Sequence, residues 1–557
     1  MTFVAFIISL KSGFITTWDD NVYMTDNLMI RHLDWSSIKT FFTTPVNGTY
    51  VPLPLLTYAF EYSLFGLNPL PYHISNLLLH LACTLLVFHF FRLLKFDSFM
   101  AAFGALLFGI HPMHVESVAW ITERKDLLFA LFFLGSMNLY IKYRVGEGKN
   151  RKFLYLSLLC FIFSLFSKIQ AVTLPLALFL IDYLQGRPFK SGLILEKIPY
   201  LALSLVFGIL GTVILGKDGA FHQPYNIFQG LFIGSYALDA YLVKFVAPVR
   251  LSAFYPNPLN TGHQLTAIWY LSPVLLILAA YLVYRSARHT RAVVFGSLFF
   301  LFNIMFLLQI VPVGSAFMAD RFTYIPYIGL IFIILWAARS YLGRKKESKG
   351  ALAVVLSIIA LIFISLTFNR CRAWKSEDLL WTDVIEKFPD ESALPYCNRA
   401  VFFNNQGQWE KSIDDCSKAI AINPGDVNAY SNRGIAYANL GAWDLALADD
   451  SVAIALKPDL ANAYSNRGAV YLNLKAPEKA ISDFSKAIGL KPDDENALTN
   501  RGIAYGNMKE WDKALADYAR AISINPSFAK AYLNRGAIYV NVNNFENALA
   551  DYSKAIS

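Results

Sequence analysis

The sequence predicts an all-α fold in two parts: a polytopic membrane helical bundle of about eleven spans, then an α-solenoid of short helical repeats. Three observations predict it. Of 557 residues, 55% are hydrophobic and only 16% charged, with a mean hydropathy of +0.41. An ordinary soluble domain is ~25% charged, so a purely soluble chain and an intrinsically disordered one are both excluded. Apolar runs of spanning length recur as far as Phe368, and a strict 34-residue period follows them. The 45 Phe and 30 Tyr suit a bilayer with interfacial aromatic belts. Five cysteines without a C-x-x-C pair argue against a disulfide framework or a structural zinc site.

In the first part, helices are expected near 74–94, 98–112, 126–143, 152–167, 170–184, 199–215, 267–284, 292–311, 322–339 and 350–368. The opening run, Thr2–Leu10, covers about 15 Å of a ~30 Å core. Either the start is clipped or this helix borrows Ser12–Ile15. It has neither the basic n-region nor the small-residue cleavage site of a signal peptide. Basic residues concentrate in the connections Arg92–Lys95, Lys142–Lys152, Arg187–Lys197, Arg285–Arg291 and Arg339–Lys349, which hold 18 Lys and Arg. The positive-inside rule makes these cytoplasmic. The loops 11–72, 112–126, 216–266 and 312–321, and everything after Phe368, then lie on the far side. Ile227–Ala247 is apolar enough to enter the membrane, but a full crossing would invert the loops after it, so it is expected to be interfacial or re-entrant. The net charge of +9 also divides: from Pro389 onward 17 cations face 20 anions, so the excess of cations belongs to the membrane part. Topology accounts for that excess, and a nucleic-acid partner is not expected.

In the second part Pro424, Pro458, Pro492 and Pro526 stand 34 apart, as do Gly434, Gly468, Gly502 and Gly536, and Tyr437, Tyr471, Tyr505 and Tyr539. Ala446, Ala480, Ala514 and Ala548 keep the same step. Small residues where two helices cross, an aromatic filling the gap and a proline ending the second helix make the tetratricopeptide pattern. Five repeats fit 393–557, the first degenerate with Ala400 and Phe403 in the Gly and Tyr slots. The domains are therefore 1–370, a connector 371–392 and the repeats 393–557. No polar capping helix follows the last repeat, so truncation or a covering partner is expected there. Arg399, Arg433, Arg467, Arg501 and Arg535 keep step with Asp415, Asp449, Asp483, Asp517 and Asp551, which reads as a ladder of salt bridges within the array. Asn398, Asn432, Asn466, Asn500 and Asn534 form a second ladder. A row of amides can hold an extended peptide by its backbone, each offering donor and acceptor; caps or bridges within each repeat are the alternative.

The far-side loops carry the candidate chemistry. Trp18-Asp19-Asp20-Asn21 follows the first span, and two adjacent carboxylates are tolerated best beside a cation, a metal or an acceptor hydroxyl. The next loop holds His111-Pro112-Met113-His114-Val115-Glu116 and Glu123-Arg124-Lys125-Asp126. Asp19, His111, His114 and Glu116 are candidate ligands of a divalent cation, Mg or Mn, although their spacing is not a standard zinc pattern. Capping roles suit the two histidines equally. Arg124 with its neighbour Lys125, and Lys168 and Arg321, are placed to meet an anionic phosphate, or else to anchor helices by snorkelling. Asp126 and Tyr324 complete the group.

These motifs together resemble the GT-C glycosyltransferases, and within them the transmembrane-and-tetratricopeptide-repeat O-mannosyltransferases and their bacterial relatives. The resemblance rests on Trp18-Asp19-Asp20, Tyr72 to His80, the His111–Asp126 block, Ser167-Lys168 with Val172 to Pro175 and Asp182-Tyr183, Phe254-Tyr255-Pro256, and Ala319 to Pro326. It implies an inverting enzyme that moves a sugar, such as mannose, from a polyprenyl-phosphate donor to a hydroxyl of a protein or peptide acceptor. It also implies that Asp19 or Asp20 activates the acceptor, directly or by holding a metal. The expected location is a bacterial inner membrane with external repeats, or the endoplasmic reticulum with lumenal repeats. A non-catalytic membrane scaffold using the same repeats is the alternative. A transporter is disfavoured because the ionisable residues gather at one surface and not mid-membrane.

Overall fold

The computed structural model describes residues 1–146, 150–217, 226–261, 264–310, 314–344 and 349–556. The remaining positions, including parts of the basic connections at 142–152 and 339–349 and of the loops 216–266 and 312–321, lie outside the described residues. The chain divides into two compact units, Met1–Pro389 and Asp390–Ser557.

The first unit is helical, and every run named above forms helix. Among the described residues, four helices are long and apolar enough to cross a membrane: Pro69–Leu93, Ile198–Lys217, Ala267–Ser286 and Ala353–Ala373. Ser98–Gly109 and Pro112–Ala119 make a fifth if their 52° bend belongs to one broken span. The chain is a multi-pass membrane protein. Thr2–Lys11, Ile169–Leu184, Arg291–Leu307 and Tyr327–Tyr341 are shorter apolar helices of 10–17 residues. Helix starts are set by local chemistry. Pro52 and Pro69 occupy first turns, where a missing N–H costs nothing. Asn68, Asp97 and Asp34 accept from the backbone N–H of Leu70, Met100 and Ser37. Arg124–Val145 and Arg151–Ser167 pack closely because Ser136 and Ser157 exchange hydrogen bonds at 2.8–2.9 Å.

The structure bears on three expectations. The first helix, Thr2–Phe6, tightens to a 3₁₀ turn at Ile7–Lys11, and Ser12 is already extended, so it does not borrow Ser12–Ile15. Ile227–Val246 is one continuous 20-residue helix opened by a capping box between Asn226 and Gln229. It lacks the break a re-entrant segment needs, so of the two expected forms the interfacial one remains. Within the connector, Glu377–Lys387 forms a helix of the first unit, and Trp374 and Trp381 are buried there. One antiparallel strand pair, Tyr255–Pro256 with Ala316–Met318, interrupts the all-α plan.

The second unit is five helix pairs, from Leu394–Asn405 with Trp409–Ile422 to Ala529–Asn541 with Phe545–Ile556. The turn within each pair passes through the left-handed region at the same repeat position: Gly407, Gly441, Lys475, Lys509 and Asn543 have φ of 57–76°. The expected salt-bridge ladder forms. In every repeat the arginine grips its aspartate with Nε and Nη2, at 2.7–2.9 Å, tying the first helix to the second.

Candidate functional site

The loop 12–20 leaves the first helix in extended backbone and turns back at the paired aspartates. They face opposite ways. Asp20 is fully buried; its Oδ2 accepts from Ile15 N at 2.7 Å and its Oδ1 from Thr122 N at 3.3 Å. Burial pushes its carboxyl up to about 7 against the pull of those N–H donors. Asp20 therefore joins two loops and does not face an incoming substrate. Asp19 keeps 23% of its side chain exposed, accepts from Asn47 Nδ2 at 3.3 Å and lies 3.7 Å from Lys125 Nζ.

Lys125 opens a wider cluster. The carboxylate of Glu123, 1% exposed, is ringed by Lys125 at 3.2 Å, Arg321 Nε at 3.4 Å and Lys168 at 3.7 Å. Burial opposes ionisation of Glu123, but these three cations hold it well below the usual carboxylate range. Burial likewise opposes the Lys125 ammonium, and Glu123 and Asp19 overcome it and raise its pKa. Asp126 pairs with Lys168 and accepts from Ser117 Oγ at 3.3 Å. Glu116 pairs with the Arg321 guanidinium and accepts from its backbone N at 3.0 Å. The three cations keep 10–20% of their side chains exposed, while Glu116, Glu123 and Asp126 keep 1–5%. The cations are thus more exposed than the acids they pair with. Aromatic rings form the walls: Trp120 stands 5.6 Å from Arg321, Tyr23 stands 5.1 Å from Lys125, and Trp18 packs on Trp120 at 4.4 Å.

Other expected site residues go elsewhere. Arg124 points away from the cluster, 1% exposed. It bonds Glu61 at 2.7 Å, Asn76 Oδ1 at 2.9 Å and Tyr72 O at 3.0 Å, so these donors are committed to the protein itself. Its neighbour Lys125 turns instead to Asp19 and Glu123. His111 stacks on Phe245 and bonds its carbonyl at 3.2 Å; His114 bonds Phe108 O at 2.8 Å. Tyr324 is buried and bonds His80 Nδ1 at 2.6 Å. These three are interior packing residues. Among the described residues no group of three or more His, Cys, Asp or Glu could hold a metal ion, so the ligand set Asp19, His111, His114 and Glu116 does not assemble. Lys125 is expected from sequence beside Arg124, where an anionic headgroup would lie, whereas Glu123 is given no role there; its one signal is a charged tetrad next to an apolar helix.

In the repeats, Asn432, Asn466 and Asn500 line a polar groove of about 450 Å³ with Ser431, Ser465 and Glu495. Asn466 donates to Ser431 Oγ at 3.1 Å, while Asn500 Oδ1 accepts from Lys530. Asn534 donates to Lys530 O within its own helix, which neither caps nor bridges helices. Asn398, on Leu394–Asn405, is half-buried and does not line the groove.

Tetratricopeptide repeat models match residues 461–494, 495–528 and 529–557, and a related repeat model matches 403–441. A protein O-mannosyl-transferase of Caenorhabditis elegans is 29% identical over 402 residues, covering 68% of this chain and 54% of that protein. The human protein O-mannosyl-transferase TMTC3 is 23% identical over 485 residues, covering 76% of this chain and 50% of its own length. The chain is homologous to the protein O-mannosyl-transferases. It spans about half the length of these O-mannosyl-transferase relatives. A solved structure, YrrB, described as a TPR protein with an unusual peptide-binding site, is 26% identical over 32% of this chain and 90% of its own, with a TM-score of 0.27.

Proposed function

We propose that this protein transfers a hexose such as mannose from a polyprenyl-phosphate donor to a hydroxyl of a protein or peptide acceptor, at a site outside the cytosol. The observation that carries this is the meeting of the accessible carboxylate of Asp19 with three part-exposed cations around Glu123. Asp19 takes the acceptor proton as the hydroxyl oxygen bonds to the anomeric carbon. The carbon–oxygen bond to the lipid phosphate breaks, and Lys125, Lys168 and Arg321 receive the charge that develops on the leaving oxygen. Attack opposite the phosphate inverts the anomeric centre. Asp20 positions the loop. The asparagine-lined groove of the repeats holds the acceptor by its backbone amides. No step is assigned to a divalent cation, because the expected ligands do not converge.

The test is transfer from undecaprenyl-phosphate mannose to a Ser/Thr-rich peptide by the purified protein, with and without EDTA. Asp19→Asn should lose about 100-fold or more in kcat, in line with removal of a positioned base, while expressing normally. Equal activity in Asp19→Asn removes the base. No saturable donor binding to the wild-type bundle favours the scaffold, in which every cation of the cluster serves only its carboxylate partner.

A further inference from the structure

Glu377 opens the helix Glu377–Lys387, between the last membrane helix and the first repeat. Its carboxylate is 6% exposed and pairs with no cation among the described residues. One oxygen, Oε1, instead accepts from three donors of the first loop: Thr16 N, Thr16 Oγ1 at 2.7 Å and Thr17 N at 3.4 Å. One turn later Trp381 Nε1 donates to Thr17 Oγ1 at 2.9 Å, and its ring lies 5.1 Å from Trp18. Trp374 reaches the same stack through Trp120, at 5.6 Å, and Lys375 O accepts from Gly13 N at 3.4 Å. Residues 13–18 are thus gripped along one side by 374–381. From the other side Asp20 holds Ile15 N and Thr122 N. Asp19 is the next residue after the gripped stretch and the one whose carboxylate is left accessible.

Burying a carboxylate among neutral donors is costly. Its return is rigidity: charge-assisted bonds to two successive backbone N–H groups fix the dihedral angles that aim the following residues. We infer that Glu377 is the positioning residue for Asp19, so that the segment following the last membrane helix is part of the active-site framework and not a tether for the repeats. This rests on Asp19 being the base.

The experiment uses the full chain in nanodiscs with undecaprenyl-phosphate mannose and a Ser/Thr-rich peptide. A displacement of about 1 Å at a reacting group costs about 100-fold, so Glu377→Ala should lower kcat by about that factor and leave the donor KM within about twofold. Glu377→Gln, whose amide oxygen still accepts from the two N–H groups, should recover most of the rate. Trp381→Phe keeps the ring and drops the bond to Thr17, and should lose about tenfold; it decides the matter if Glu377→Ala does not fold. Hydrogen exchange of the 14–20 segment should quicken in Glu377→Ala and not in Glu377→Gln. Wild-type kcat in Glu377→Ala, a change confined to KM, or unaltered exchange of 14–20 overturns the inference. If the wild-type protein transfers no sugar, the proposed reaction falls, and the exchange rates still decide whether Glu377 orders the loop.

Discussion

Asp450 is a fault in an otherwise regular array, and its consequence can be worked out. The following repeats place Phe484, Tyr518 and Tyr552 against Gly468, Gly502 and Gly536, close enough to leave no room for a Cβ. Gly434 offers the same hollow to Asp450, which is fully buried and whose two oxygens meet no donor among the described residues. Burial, then repulsion from Asp449 and Asp483, pushes its carboxyl up to about 8 from 3.8, against the attraction of Arg467. Between those values the folded array keeps a proton that the unfolded chain releases. Stability therefore falls as pH rises from about 4 and levels off above about 8. At 1.36 kcal/mol per pH unit, the loss by pH 7 is about 4 kcal/mol. Replacing Asp450 with Phe removes this ionisation and fills the hollow as the next repeat does. The assay is amide exchange of helix Trp443–Leu456 in variant and wild type, corrected for intrinsic rates, so that other titrations cancel in the ratio. The variant's advantage in protection should grow about tenfold per pH unit from pH 5 to 8, then stop growing. A ratio constant with pH refutes the reasoning, since it would mean that the carboxyl ionises inside the array as freely as outside it.

Arg124 and Lys125 are adjacent and should fail differently. Arg124→Met strands Glu61 in the interior and should destabilise the bundle by about 3–5 kcal/mol, read as loss of folded protein in detergent. Lys125→Met should leave folding intact and weaken the saturable binding of undecaprenyl-phosphate mannose by about tenfold, because one charge-assisted contact is lost. Asn466→Ala with Asn500→Ala should raise the KM for a peptide acceptor several-fold at unchanged donor hydrolysis; an unchanged KM moves the acceptor away from the groove.

What was legible in the sequence is what repeats. The step of 34 writes each contact five times over, so the Arg433–Asp449 pair and its four equivalents could be paired by eye, and the structure joins each of them. Spanning helices were legible for a similar reason, since an apolar run is an average over many residues. The cluster was not, because it depends on single rotations. Arg124 and Lys125 begin one helix about 100° apart, and nothing local says which of them turns to Glu61 and which to Glu123. His111 and His114 look like ligands by residue type, yet each bonds a carbonyl, of Phe245 and Phe108, from segments 134 and 6 residues away. Glu377 meets Thr16 across 361 residues, a contact that no local pattern encodes. Asp450 was readable in principle: it stands in a column with Phe484, Tyr518 and Tyr552.

Charge balance links the proposed base to the proposed anion site. Four carboxylates, of Asp19, Glu116, Glu123 and Asp126, share three cations, of Lys125, Lys168 and Arg321. When Asp19 takes the acceptor's proton in the proposed reaction, the cluster loses one negative charge. Lys125, which bridges Asp19 and Glu123, is then released from one of its two partners and is free to turn toward the phosphate as that group gains charge. Proton arrival and leaving-group departure thus compensate within one connected set of residues. A lysine at 125, with a single mobile ammonium, suits such a hand-over better than a guanidinium locked in two-pronged pairs. Lys125→Arg tests this: it should keep donor binding and lose kcat, whereas a purely structural cation at this position would accept the exchange without loss of rate.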